Sequence, residues 1–208
     1  NGATNVTSNK IQLTFDEIVL VQSTFEKVVI SPPQTSMAII KASGHKVNVE
    51  LQDSLKEKTT YTIDFTNSII DNNERNELDG FTFSFATGDF IDTLKLSGTI
   101  VDSETLNPIP NIVVGIHSNL SDTAFTSKPF DRITKTDKNG KFTINNINEG
   151  GYHVFALADV DSLIVDADFI NARVFKFICQ ALSFQPFVYI FFVGCSFIIL
   201  HWDPHFLN

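Results

Sequence analysis

Cysteine, tryptophan and clustered basic residues are what this 208-residue chain has least of. Both cysteines (Cys179, Cys195) and the single Trp202 lie in the last forty positions, and nothing before residue 169 contains either residue type. Residues 1–168 therefore cannot be a disulfide scaffold or a thiolate metal site, and they suit an exported bacterial protein without disulfides or a cytosolic one equally well. Basic residues number 15 against 24 acidic ones, a formal charge of -9. Phosphate binding needs clustered Lys and Arg, so nucleic acid is not an expected partner. No apolar core follows a basic start in NGATNVTSNK, so no signal peptide is visible. The opening Asn-Gly is a turn signal just ahead of a strand, as expected of a fragment that begins inside a longer protein.

What is present is strict alternation. Ile11, Leu13 and Phe15 fall on one face of a strand, Val47, Val49 and Leu51 on another, Tyr61, Ile63 and Phe65 on a third, and Phe81, Phe83 and Phe85 on a fourth. Each large side chain so buried contributes about 1.5–3 kcal/mol, enough for these ladders to define a core. Shorter β-branched runs lie at 18–21, 28–30 and 37–40, and turn formers separate the runs at Ser31-Pro32-Pro33, Ser43-Gly44 and DNNERNELDG (71–80). About seven short strands without a helical period predict a β-sandwich over residues 1–90.

After a hinge at TGDFIDTLK, a second β pattern begins. Leu94, Leu96 and Ile100 face inward, IVVGIH (112–117) is an apolar strand, and Asp137-Lys138-Asn139-Gly140 predicts a hairpin turn with positive φ at the asparagine and the glycine. Phe142 and Ile144, then Tyr152, Val154 and Ala156, continue the inward faces. Residues 92–168 thus read as a second, smaller sandwich, and the fold class as all-β with two tandem Ig-like sandwich domains.

The order GATNV, IQLTFDE, TTYTIDFTNSIIDNNERNEL and FTFSFATGD resembles the bacterial Ig-like domain of the S-layer and surface-protein type. The match covers nearly all of residues 1–88, with Arg75 departing from a place where that family often has glycine. The second half, LSGTIVDSETLNPIPNIVVGI with TDKNGKFTINNINEGGYHVFAL, is similar to carboxypeptidase-regulatory-like and Cna-B-like modules through Gly98, Pro110, Val114, Thr136, Asp137, Gly140, Phe142, Ile144, Gly151 and Tyr152. The pairing resembles a group of Bacteroidetes surface lipoproteins. That resemblance implies a location in the cell envelope, outer membrane or cell surface, and a binding or structural role without catalysis.

The candidate sites are few. There is no G-x-S-x-G, Walker loop, H-E-x-x-H or C-x-x-C. The five histidines (His45, His117, His153, His201, His205) lack ligand spacing and read as surface or half-buried strand residues. In DNNERNELDG, alternate positions 71, 73 and 75 give Asp, Asn and Arg, so a cation stands where calcium needs an oxygen. That loop, with Asp71, Glu74, Glu77 and Asp79, reads as a solvated connection. The remaining metal candidates are Asp159, Asp161 and Asp166, followed by Asp168, where the resemblance implies a calcium-loop-like pattern weakened by Leu163 and Ile164. No catalytic residue and no cofactor other than calcium is expected. Phe125 and Phe130 lie in a polar stretch and are the aromatics expected to be exposed.

Residues 169–208 break with all this. Nine of the twenty phenylalanines fall there, and no charged residue occurs from Phe177 to Trp202. Three readings stand open: out-of-frame or mis-assembled sequence, a C-terminal membrane anchor, or a genuine buried element. The functional reading is a non-catalytic structural, adhesive or spacer module of a bacterial cell-envelope protein. Its partner would be an envelope protein or glycan, with membrane association through an N-terminal lipid anchor or the C-terminal tail. The alternative is a calcium-dependent or glycan-binding accessory module of a larger polysaccharide-processing protein.

Overall fold

The computed structural model describes residues 1–102, 105–121 and 128–158, together with three strands between residues 173 and 201. The chain forms two compact units, Asn1–Ile91 and Asp92–Asn208. Apart from one four-residue helix, α1 (Thr24–Lys27), every regular element among the described residues is a strand. The alternation that predicts an all-β fold is therefore realised, because side chains of period two can share a buried face only in extended backbone.

The first unit has eight strands: β1 (Lys10–Thr14), β2 (Val19–Val21), β3 (Val29–Ser31), β4 (Ile39–Ser43), β5 (Lys46–Glu50), β6 (Thr60–Asp64), β7 (Ile69–Asp71) and β8 (Thr82–Ala86). They form antiparallel sheets of order β1-β5-β4, β3-β6-β8 and β2-β7. Ile11, Leu13, Val47, Val49, Leu51, Tyr61, Ile63, Phe65 and Phe85 share one buried core, with Phe15, Phe81 and Phe83 half-buried against it. The Val47/Val49/Leu51 and Tyr61/Ile63/Phe65 ladders bury fully as the alternation predicts, and the first buries Ile11 and Leu13 with Phe15 half-buried. The fourth buries fully only at Phe85. Tyr61 stacks on Phe85 with centroids 5.2 Å apart, a contact of about 0.5–1.5 kcal/mol beyond area burial. Its hydroxyl accepts the Lys56 N–H at 2.8 Å, so this polar atom carried into the core has a partner.

The second unit contains β9 (Leu94–Asp102), β10 (Val113–His117), β11 (Arg132–Lys135), β12 (Lys141–Ile147), β13 (Gly150–Ala158), β14 (Arg173–Ala181), β15 (Val188–Val193) and β16 (Ser196–His201). Its two four-stranded sheets have the orders β11-β10-β13-β14 and β12-β9-β16-β15. Leu96, Ile100, Phe142, Ile144 and Ile147 from one sheet meet Val114, Ile116, Tyr152, Val154 and Ala156 from the other, which makes a two-layer sandwich. Tyr152 enters this core much as Tyr61 enters the first, and its hydroxyl donates to the Asn148 carbonyl at 3.0 Å.

The 137–140 turn forms, but not as the asparagine-glycine signal predicts. Gly140 N–H bonds the Asp137 carbonyl at 2.9 Å, and of the four residues Gly140 alone has positive φ. Asp137 Oδ1 accepts the amides of Asn139 and Lys141, each at 2.8 Å, and this holds Asn139 out of the left-handed region. Glycine is required at 140 on two counts: φ is +69°, and a Cβ would collide with the Ile100 carbonyl oxygen.

The apolar run after residue 187, whose length invites comparison with a membrane span, is divided between β15 and β16, which pair antiparallel. β16 also pairs with β9, and β14 with β13. No helix among the described residues is long and apolar enough to cross a membrane. That statement leaves β-barrels aside.

Candidate functional site

The acidic loop closes on itself. Asp71, the last residue of β7, accepts the amides of Asn73 at 2.8 Å and Glu74 at 2.6 Å, and these bonds hold its carboxyl below the usual carboxylate range. Glu74 accepts the Asn76 side chain at 2.9 Å. Arg75 takes a left-handed φ of 64°, the conformation glycine would adopt most easily, so the departure from the family pattern leaves the turn intact. Glu77 points away from its own loop: Asn67 Nδ2 donates to it at 2.7 Å, and Lys27 Nζ lies 3.6 Å off. These carboxylates are turn acceptors and tethers between loops.

One electrostatic feature of this corner escapes sequence reasoning. Glu17, on the β1–β2 connection, has its carboxyl pushed up chiefly by the charge of Asp71, with desolvation, Asp16 and Glu74 adding to it. Asp16 and Glu17 are over fifty positions from Asp71, and only the β2–β7 pairing brings them beside it. Among the described residues, no group of three His, Cys, Asp or Glu is arranged to hold a metal ion. Asp159, Asp161, Asp166 and Asp168 lie outside the described residues, as does Phe125.

The histidines divide. His45 is exposed, whereas His117 and His153 are each 3% exposed and sit directly opposite one another on β10 and β13. This corrects the reading of these two as surface or half-buried residues. Every residue of β10 is buried, so that strand is covered on both faces. His117 Nε2 lies 3.2 Å from the Lys128 carbonyl, so the proton sits on that nitrogen, and Nδ1 is 3.9 Å from Asp131 Oδ2, beyond hydrogen-bond reach.

Phe130 is the second correction. It is 5% exposed and packs with Val113, Phe155 and Leu157 in a cluster separate from the sandwich core. Its neighbour Arg132 is also buried, donating to the carbonyls of Asn146 at 3.2 Å and Asp131 at 3.0 Å with Asp92 3.8 Å away. Asn146 in turn donates to the Asp92 carbonyl at 2.7 Å, which pins the start of the second unit to β11 and β12. A lone arginine in a strand gives no signal of such a role.

A comparison with curated proteins found no match. Among solved structures the chain is similar to the D00-D0 domain of intimin, at 14% identity over 85% of this chain and 95% of that one, with a TM-score of 0.19. That score is too low for the two folds to be equated. Residues 1–87, which take in every strand of the first unit, match the family model described as the bacterial Ig-like domain.

Proposed function

We propose that this protein is a non-catalytic structural or adhesive module of a bacterial cell-envelope protein, in which the first unit acts as an Ig-like spacer. The observation that carries the reading is the match of residues 1–87 to the bacterial Ig-like family. It is joined by the way the polar groups are used. Asp71 accepts the amides of Asn73 and Glu74 and Asp137 those of Asn139 and Lys141, each within its own turn, while Asp53 accepts those of Thr35 and Ser36 and ties a distant loop to its own, so these carboxylates serve the backbone. The second unit, with its turn at Asp137 and its tyrosine at 152, is proposed as a carboxypeptidase-regulatory-like module, and the pair as part of a Bacteroidetes-type surface lipoprotein.

The test is an array of bacterial polysaccharides probed with the purified chain, with and without millimolar calcium, alongside a thermal melt in each condition. Silence across the array and an unchanged melting temperature are expected of a spacer. A calcium-dependent hit, or a melting temperature that rises with calcium, would replace this reading with the accessory binding module, because a ligand of the folded state must stabilise it.

A further inference from the structure

We infer that the first unit is a mechanical clamp: it resists force applied along the chain by shearing its terminal strands rather than peeling them. The inference deepens the structural reading above, and it rests on the direction of one pairing. Residue Ala3 bridges Phe85 in parallel, the one parallel contact among the described residues. Gly2 N–H bonds Ser84 O at 2.8 Å, Ala86 N–H bonds Ala3 O at 2.8 Å, Asn5 N–H bonds Gly88 O at 2.8 Å and Val6 N–H bonds Ala86 O at 3.0 Å. The Asn1 side chain adds a fifth bond, accepting Ser84 N–H at 2.8 Å. Behind this seam β8 is held on its far side by the antiparallel ladder to β6.

Parallel direction decides the mechanics. Load entering at residue 1 and leaving beyond residue 88 pulls two parallel strands in opposite senses along their common axis. The hydrogen bonds run across that axis, so all of them must yield together. Val6 also packs on the core, so the shear drags an apolar side chain with it.

The second unit provides the opposite geometry in the same molecule. β9 and β16 are antiparallel, with Ser97 opposite His201 and Asp102 opposite Ser196. Load entering at Asp92 and leaving after His201 reaches both strands at the same end. Their bonds then open one pair after another, and each rupture has to overcome only a single bond.

The experiment is to stretch the full chain between handles at residues 1 and 208. The two units release different lengths, up to about 300 Å for the 91 residues of Asn1–Ile91 and about 400 Å for the 117 residues of Asp92–Asn208 at roughly 3.4 Å per residue, so each rupture identifies its unit. The shorter release is expected at a severalfold higher force than the longer one. Val6→Pro removes one donor from the seam, and it should lower the force of the shorter release while shifting the melting temperature little. Equal forces for the two releases, or a Val6→Pro chain that ruptures like the parent, would overturn the clamp. If Val6→Pro does not fold, the comparison of the two releases in the parent chain decides alone. A low force for the first unit in a chain that still gives a silent polysaccharide array would remove the clamp and leave the spacer reading standing.

Discussion

Phe130 lies flat over the backbone of Gly115, so close that a Cβ on residue 115 would sit 2.6 Å from the ring's Cγ. The ring also meets Phe155 at 5.8 Å and His117 at 5.8 Å. Gly115→Ala is expected to destabilise the second unit by about 1–3 kcal/mol through overpacking, and Phe130→Ala by about 3–5 kcal/mol through the cavity it leaves. In the double variant the two costs should sum to less than their separate values, because the small ring site relieves the added methyl. Urea unfolding of the four chains measures this, and strict additivity would show that the two residues do not pack as described.

Burial pushes the Asp64 carboxyl up, and the Thr66 amide it accepts at 2.8 Å only partly offsets that. A carboxyl raised in the folded state binds its proton more tightly there than in the unfolded chain. Its contribution is fully present below the unfolded value of about 3.9 and is lost as pH rises through the folded one. Asp64→Asn should therefore be more stable than the parent at pH 7, and the gain should shrink as pH falls towards about 4. Urea midpoints across that range test it.

At the acidic corner, Glu17 is raised chiefly by the charge of Asp71; Asp16, Glu17 and Glu74 are exposed and Asp71 is half-buried. Glu17→Gln should raise the melting temperature at pH 7 in low salt, and the gain should fade as salt rises, since screening acts strongly on exposed charges. Asp71→Asn should behave oppositely, because the lowered Asp71 carboxylate helps hold the turn through the Asn73 and Glu74 amides. A gain in both variants would mean that repulsion outweighs the turn bonds.

Tyr152 carries its hydroxyl into the second core, where burial pushes its ionisation up. Tyr152→Phe loses the bond to the Asn148 carbonyl and should cost about 0.5–1.5 kcal/mol. The sign of the pH dependence is fixed: with the folded value raised, the parent loses stability as pH climbs above the unfolded value of about 10, and Tyr152→Phe should lack that slope. Thermal melts between pH 8 and pH 11 compare the two at roughly those limits.

Much of the architecture is local and so was legible. Val47, Val49 and Leu51 alternate with Asn48 and Glu50, and that period alone assigns both the strand and its buried face. The Asp137–Gly140 turn was legible as a turn, but its type was not, since the Asp137 side chain competes for the amides that set the backbone of Asn139. The acidic loop was legible as a connection. Its effect on Glu17 was not, because that effect depends on the pairing of β2 with β7.

By itself the sequence determined that this is a chain of strands with Tyr61, Ile63 and Phe65 on one inward face and Tyr152, Val154 and Ala156 on another, because side-chain period is a property of neighbouring residues. Tertiary structure decided what period cannot express. It placed Phe130 over Gly115, His117 opposite His153, and residues 2–6 beside β8 in the parallel sense. Each of these joins residues distant in the chain and depends on register, direction or the absence of a side chain, none of which a pattern of apolar and polar residues carries.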